Sequence, residues 1–325
     1  TISLDIIEKK EPVIYKGVKS NKSKFAAKKF KRFIHQPWRI GSFSALTGGH
    51  DAELPDYDSP ASNETVVTLE ANNAAARDRF TFPRGAHAGT CLHAIFEHWD
   101  FASDDHDAMQ VLVSRTLLQY GFDELWTAAV CRWVREVIAT SLNNTSGKSF
   151  FKLADLNQDQ RLDELSFYFP VTGLTVDGLQ KCLLPLLNTE SPLAQVISQL
   201  KFSSLSGFMK GFIDLVYEFQ GRFYIVDYKS NWLGTSQGAY QQDVLDQAMI
   251  SHDYPLQYLI YSLALHRYLR LRLSDYDPDV HFGGAYYLFI RGIQPKWGQS
   301  GIFFDRPSVQ VLDALDLCLQ GLTND

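Results

Sequence analysis

The chain is poor in cysteine, with 4 in 325 residues. Cys91, Cys131, Cys182 and Cys318 are scattered, and no two form a C-x-x-C pair. That argues against zinc and iron–sulfur ligation and fits a reducing, cytoplasmic setting. No apolar run reaches the length of a membrane-spanning helix, and the first residues do not read as a secretory signal. H-E-x-x-H is missing. Two partial motifs fail on spacing. Gly147-Lys148-Ser149 looks like the end of a phosphate-binding loop, but Leu142 stands where its first glycine is needed and no strand leads into it. Asp155-x-Asn157-x-Asp159 opens like a calcium loop, but Gln160 and Ser166 stand where Gly and Glu are required.

What the chain does have is a hydrophobic content of 45%, enough for a substantial core, and a net charge of −6 that is unevenly spread. Residues 1–40 hold eleven Lys/Arg against three acids, about +8, which leaves about −14 on the rest. Lys9, Lys10, Lys16, Lys19 and the basic residues that follow form an arm, either a solvated linker or a contact surface for DNA phosphates. The acidic remainder argues against nonspecific wrapping of nucleic acid and permits a channel with a metal-neutralised centre. Thr1 in place of an initiator Met leads to the expectation of a piece of a longer protein.

Residues 1–36 are polar with little periodicity, Trp38–Leu46 reads as a short strand, and residues 47–80 read as a linker. A basic, linker-like segment over 1–80 and a compact domain over 81–325 follow. Thr90 is expected to cap a helix from about Cys91, with Leu92, Ile95, Phe96 and Trp99 as its apolar stripe and His93 off it. Further helices are expected over 107–120, 122–142, 176–187, 240–251, 254–271 (capped by Asp253) and 307–322. Strands are expected over 162–171 and 282–290. The order predicts an α/β fold, a mixed sheet flanked by helices.

The centre of interest is a hairpin over 207–229. Gln220-Gly221 reads as a two-residue turn, which sets Asp214 opposite Asp227. Lys229 then shares the face of Asp227, because strand side chains alternate. Opposed carboxylates repel, and their neighbours Ile213, Leu215, Val216, Ile225 and Val226 are apolar. A divalent cation is one partner that such buried acids accept; an Asp–Lys ion pair is the simpler alternative. Mg²⁺ prefers oxygen ligands, with Ca²⁺ or Mn²⁺ as substitutes in binding. The Tyr228 carbonyl is close enough in sequence to add one. Lys229 could orient or deprotonate a water, or stabilise charge on a phosphate. Two carboxylates and a lysine are a minimal kit for phosphodiester hydrolysis.

This arrangement resembles the PD-(D/E)xK nuclease superfamily, with its restriction-endonuclease-like core. The runs Gly89–Glu97, Met209–Val216, Asp227–Gly234, Leu256–Leu269 and Phe282–Phe289 resemble the RecB-type nuclease domains within it, over about residues 82–325. Residues 37–46 resemble the end of the helicase region that precedes such domains. The resemblance implies that His93, Asp214, Asp227 and the Tyr228 carbonyl are metal ligands and Lys229 the catalytic lysine. It implies that Glu164 binds a second metal or orients water. Gln257 and Tyr261, a Q-x-x-x-Y pair on one helix face, would contact DNA phosphate or position Lys229. It further implies a Mg²⁺-dependent exonuclease acting on single- and double-stranded DNA in break repair, with an upstream helicase domain and RecC-like and RecD-like subunits as partners. The four-cysteine iron–sulfur staple of some relatives is excluded. The rival readings are a noncatalytic nuclease-like module for DNA guidance or subunit docking, and a site-specific endonuclease, for which no recognition insert is visible.

Overall fold

A computed structural model describes residues 38–43, 46, 77–143, 150–202 and 204–322. The basic arm, most of the 47–80 stretch and Gly147-Lys148-Ser149 lie outside the described residues.

Strand-forming sequence builds one mixed sheet. Its axis is a long hairpin, β5 (Leu205–Phe219) and β6 (Arg222–Lys229). Gln220 and Gly221 both have positive φ, 54° and 77°. This is the backbone of a two-residue hairpin turn whose twist matches the strands. The expected register holds: Leu215 pairs with Val226 and Phe219 with Arg222. β4 (Arg161–Leu174) runs antiparallel along one side of β5. β7 (Phe282–Phe289) lies parallel to β6, and β8 (Ile302–Asp305) lies antiparallel to β7. β1 (Arg39–Gly41) pairs in parallel with the start of β5. Phe43 and Leu46 are buried in the same core, and Pro37–Asp325 forms one compact unit. The folded unit thus takes in residues well before 81.

Helices cover both faces. On one side lie α1 (Ala86–His98), α2 (His106–Gln119) and α3 (Thr127–Ile138). Their apolar residues meet Leu215, Tyr217, Val226, Tyr228 and Leu288 of the sheet. On the other side lie α4 (Val176–Leu183), α5 (Pro192–Gln199), α6 (Gln242–Ser251), α7 (Tyr254–Arg272) and α9 (Val309–Leu319). They pack on Met209, Ile213, Ile225, Tyr287 and Phe289. The single turn α8 (Pro278–His281) leads into β7.

Several local expectations need correction. α1 begins at Ala86, not near Cys91; Thr90 lies inside it, and its hydroxyl donates to the Ala86 carbonyl. The stripe Leu92, Ile95, Phe96 and Trp99 is buried as expected, but His93 is buried too, at 7% exposure. The helix expected over 122–142 is a short 3₁₀ turn followed by α3, which stops at Ile138 and gives way to β2 (Ser141–Asn143), paired with β3 (Phe150–Lys152). Asp253 does precede α7, but in a left-handed conformation and without a side-chain capping bond.

Candidate active site

The site lies where the hairpin strands part. The β5–β6 ladder ends at Leu215 and Val226, while β6 continues beside β7 through Lys229. Asp214 is the next residue of β5 at that fork, and its Oδ2 accepts the Tyr228 backbone N–H at 2.8 Å. A side chain thus takes a donor that the diverging strand leaves behind. Across β5, Asp163 pairs with Leu215 and Leu165 with Ile213, which brings Glu164 alongside Asp214. Glu164 adopts φ 50°. Backbone strain of this kind in a non-glycine residue gathers at functional sites.

α1 supplies His93, whose Nδ1 stands 3.3 Å from Asp214 Oδ2. The Tyr228 ring points into the α1 layer and stacks on Phe96 with centroids 4.5 Å apart, which anchors the peptide between Asp227 and Lys229. Asp227 and Lys229 emerge together on the α7 side, Nζ to Oδ2 at 2.7 Å, each about 3% exposed. Tyr254 and Tyr287 wall the ammonium, with the Tyr254 ring centroid 4.0 Å away.

Gln257 and Tyr261 are buried, at 1% and 3% exposure. The Gln257 carbonyl oxygen accepts from Lys229 Nζ at 3.1 Å and from the Tyr287 hydroxyl at 2.9 Å. Its amide nitrogen donates to the Tyr261 hydroxyl at 3.1 Å. The chain Tyr261–Gln257–Lys229 fixes which end of the amide faces the lysine. Of the two roles open for this pair, such burial suits positioning of Lys229.

Electrostatics separate the two acids. Burial, the largest influence, pushes the Asp227 carboxyl up to about 7; Lys229 pulls it back and the Asp214 charge adds to the rise. Burial pushes Asp214 upward as well, but the His93 ring, the Tyr228 N–H and Lys229 outweigh it and hold this carboxyl below the ordinary range. Paired acids driven apart in this way mark sites of chemistry.

Sequence reasoning missed Arg291. Its guanidinium is fully buried and donates from Nε to the Ser230 carbonyl at 2.8 Å. It also donates to the carbonyls of Arg79, Phe82 and Pro83. It therefore ties the strand end carrying Lys229 to the segment leading into α1, which carries His93. No local pattern marks an arginine in such a role; its partners lie far away in sequence.

A divalent cation suits the donors. A buried and a partly exposed carboxylate, an imidazole and a neighbouring peptide carbonyl are hard or borderline ligands, and an acid held near neutrality by burial gains from a positive partner. Among the described residues no three His, Cys, Asp or Glu side chains stand close enough together to hold a metal ion. Here His93 rests on Asp214 and the Lys229 ammonium rests on Asp227, an open arrangement. It is compatible with Mg²⁺, which keeps several waters beside one or two carboxylates.

Residues 69–315 match the family model of the PD-(D/E)XK nuclease superfamily. The chain belongs to that superfamily. Within it, the chain is similar to RecBCD enzyme subunit RecB of Escherichia coli K12, 36% identical over 301 residues, covering 91% of the chain and 24% of the relative. The RecB subunit of Haemophilus influenzae is 34% identical over 317 residues, 92% of the chain and 25% of the relative. That of Mycolicibacterium smegmatis is 32% identical over 295 residues, 82% and 27% respectively. The chain thus spans about a quarter of the length of these relatives. The mixed sheet between helical layers is the architecture expected of a PD-(D/E)XK nuclease. No helix among the described residues is long and apolar enough to cross a membrane.

Proposed function

We propose that this chain is a Mg²⁺-dependent DNA exonuclease domain that works as part of a RecBCD-type helicase–nuclease. The observation that carries the reading is the meeting of His93, Asp214, Asp227 and Lys229 at the fork of one hairpin. His93, Asp214, Asp227 and the Tyr228 carbonyl would hold the metal, with Glu164 alongside to orient water or share a second ion. A bound divalent cation polarises the phosphodiester and acidifies water. Lys229, aimed by Gln257 and Tyr261, orients the attacking water or moves its proton, and offsets charge gathering on the phosphate. Asp227 holds the Lys229 ammonium across their 2.7 Å contact, which keeps the lysine beside the proposed metal.

The name of the relatives, RecBCD enzyme subunit RecB, supports RecC-like and RecD-like subunits as partners. The resemblance in sequence carries the rest of the proposal: a helicase region in the same polypeptide, and single- and double-stranded DNA as substrates in double-strand break repair and degradation of linear DNA. The test is incubation of the chain with single- and double-stranded DNA in Mg²⁺ or in EDTA. Cleavage in Mg²⁺ that EDTA abolishes is expected. DNA binding with no cleavage in Mg²⁺ or Mn²⁺ would leave a noncatalytic guidance module instead.

A further inference from the structure

The sheet is covered unevenly. Over β6 and β7 the α1–α3 layer buries Val226, Tyr228 and Leu288. On the same side, no described helix covers the half made by β4, β1 and the start of β5. Strand alternation sends Phe167, Phe169, Met209 and Ile213 into the core against α7, so Tyr168, Phe208, Lys210 and Phe212 point the other way. Tyr168 is 55% exposed, Phe212 48% and Trp38 63%. A contiguous patch of large exposed aromatics marks a binding surface.

The rings are organised. Tyr168 and Phe208 lie parallel, centroids 4.4 Å apart at 11°, and Trp38 meets Phe208 edge-on at 5.7 Å. Lys210 is exposed between Phe208 and Phe212, and Ser166 sits across from Phe212. None of these residues is acidic. The strip also has a direction. Phe212 lies two residues before Asp214, and Ser166 two residues after Glu164. From Phe208 to Asp214 the strand covers roughly 20 Å. At that end α1 borders this half, and its His93 contacts Asp214.

We propose that this strip is a stacking platform for the unpaired bases of a single DNA strand, which it leads toward the Asp214–Asp227 site. The proposal deepens the nuclease reading of that site and rests on it for the strand's destination. The chemistry is that of sequence-tolerant strand binding: aromatic faces for bases and a cation among them for the backbone. A duplex hides its base faces, so the platform selects unpaired DNA. A protein partner would find a flat apolar face here, but the interleaved Lys210 and the continuity with the acidic site favour a polyanion that ends in the site.

The test is binding of a fluorescent oligo(dT) and of an abasic oligomer of equal length to the full chain, in Ca²⁺ to suppress cleavage. Bis(p-nitrophenyl) phosphate hydrolysis in Mn²⁺ is measured in parallel. Tyr168→Ala and Phe208→Ala should each weaken oligo(dT) binding by about tenfold, leave abasic binding within twofold, and leave hydrolysis of the small ester unchanged. Tyr168→Phe, which keeps the ring, should bind like the parent. Oligo(dT) binding unchanged in both alanine variants, or equal losses on both oligomers, overturns the platform. So does a change confined to self-association, seen by light scattering, which would assign the face to protein contact. Aromatic-dependent strand binding by a chain that hydrolyses no phosphodiester would overturn the nuclease reading and support the platform alone.

Discussion

At Asp227 two requirements conflict: the proposed metal site calls for a carboxylate, and burial disfavours one. The consequence can be measured. Its carboxyl titrates at about 7 in the folded chain, above the roughly 3.9 of an unfolded aspartate, so the folded state holds a proton that the unfolded state has released. Stability contributed by this group is fully present below about pH 4 and lost as pH rises through 7. Asp214, lowered, works in the opposite sense and loses its contribution in acid. In EDTA, the melting temperature of the parent should therefore carry a declining contribution between about pH 4 and 7 that levels off above it, and Asp227→Asn should flatten that decline. Divalent cation should restore stability most at pH 8, where its ligand is ionised. A flat parent profile would show that Asp227 ionises freely. Lys229→Gln isolates chemistry from binding. It removes the charge but none of the proposed ligands, so Mn²⁺ affinity by calorimetry should hold or rise while the chemical step slows by about 10²–10⁴. Loss of metal binding would make Lys229 structural instead. Both acids and the lysine are legible from the sequence, because the turn at Gln220-Gly221 sets the register of everything after it. His93 is not. A polar residue buried for its contact with Asp214 is invisible to a rule that counts apolar stripes, and only the family resemblance points to it.

Where the fold departs from local patterns, packing decides the conformation. Leu142 falls on the stripe of Val134 and Ile138 and is buried as the stripe requires, yet it is reached by a strand after the chain leaves α3. The period was right and the conformation wrong. β8 is four residues long and earns its place from a parent strand, β7, rather than from its own propensity. α5, opened by Ser191 accepting from the Ala194 N–H with Pro192 at its first position, carried a readable start signal. Gly284 was readable only as part of a buried strand. It has φ 120°, and an added Cβ would stand 2.7 Å from the Phe304 ring and 2.8 Å from the Asp305 carbonyl oxygen. Both backbone strain and overlap oppose a side chain there. Gly284→Ala should lower stability by about 2–4 kcal/mol in urea unfolding, with unchanged hydrolysis per folded molecule, since β7 runs beside Asp227, Tyr228 and Lys229 only from Tyr287 onward. A loss below about 0.5 kcal/mol would mean that β8 shifts freely to make room.

At the scale of the whole molecule the question is how an acidic body holds a polyanion. Residues 1–36 carry ten Lys/Arg against three acids, whereas the chain past residue 40 is near −14. The long-range field of that body repels DNA, and the proposed metal and Lys229 would neutralise it only at the centre of the site. Affinity must then come from short-range contacts and from the basic arm. Those two sources respond differently to salt. Stacking releases no counterions, while each phosphate neutralised by a single-strand contact adds about 0.7 to the slope of log affinity against log salt. Deleting residues 1–36 should therefore lower that slope by several units on a long single strand, with a short oligomer run alongside. Cleavage of the short strand at low salt should persist, because no proposed ligand or catalytic group lies in the deleted stretch. Equal slopes for the two chains on the long strand would make the arm a tether only, and would leave the sheet surface beside Asp214 to hold the DNA by itself.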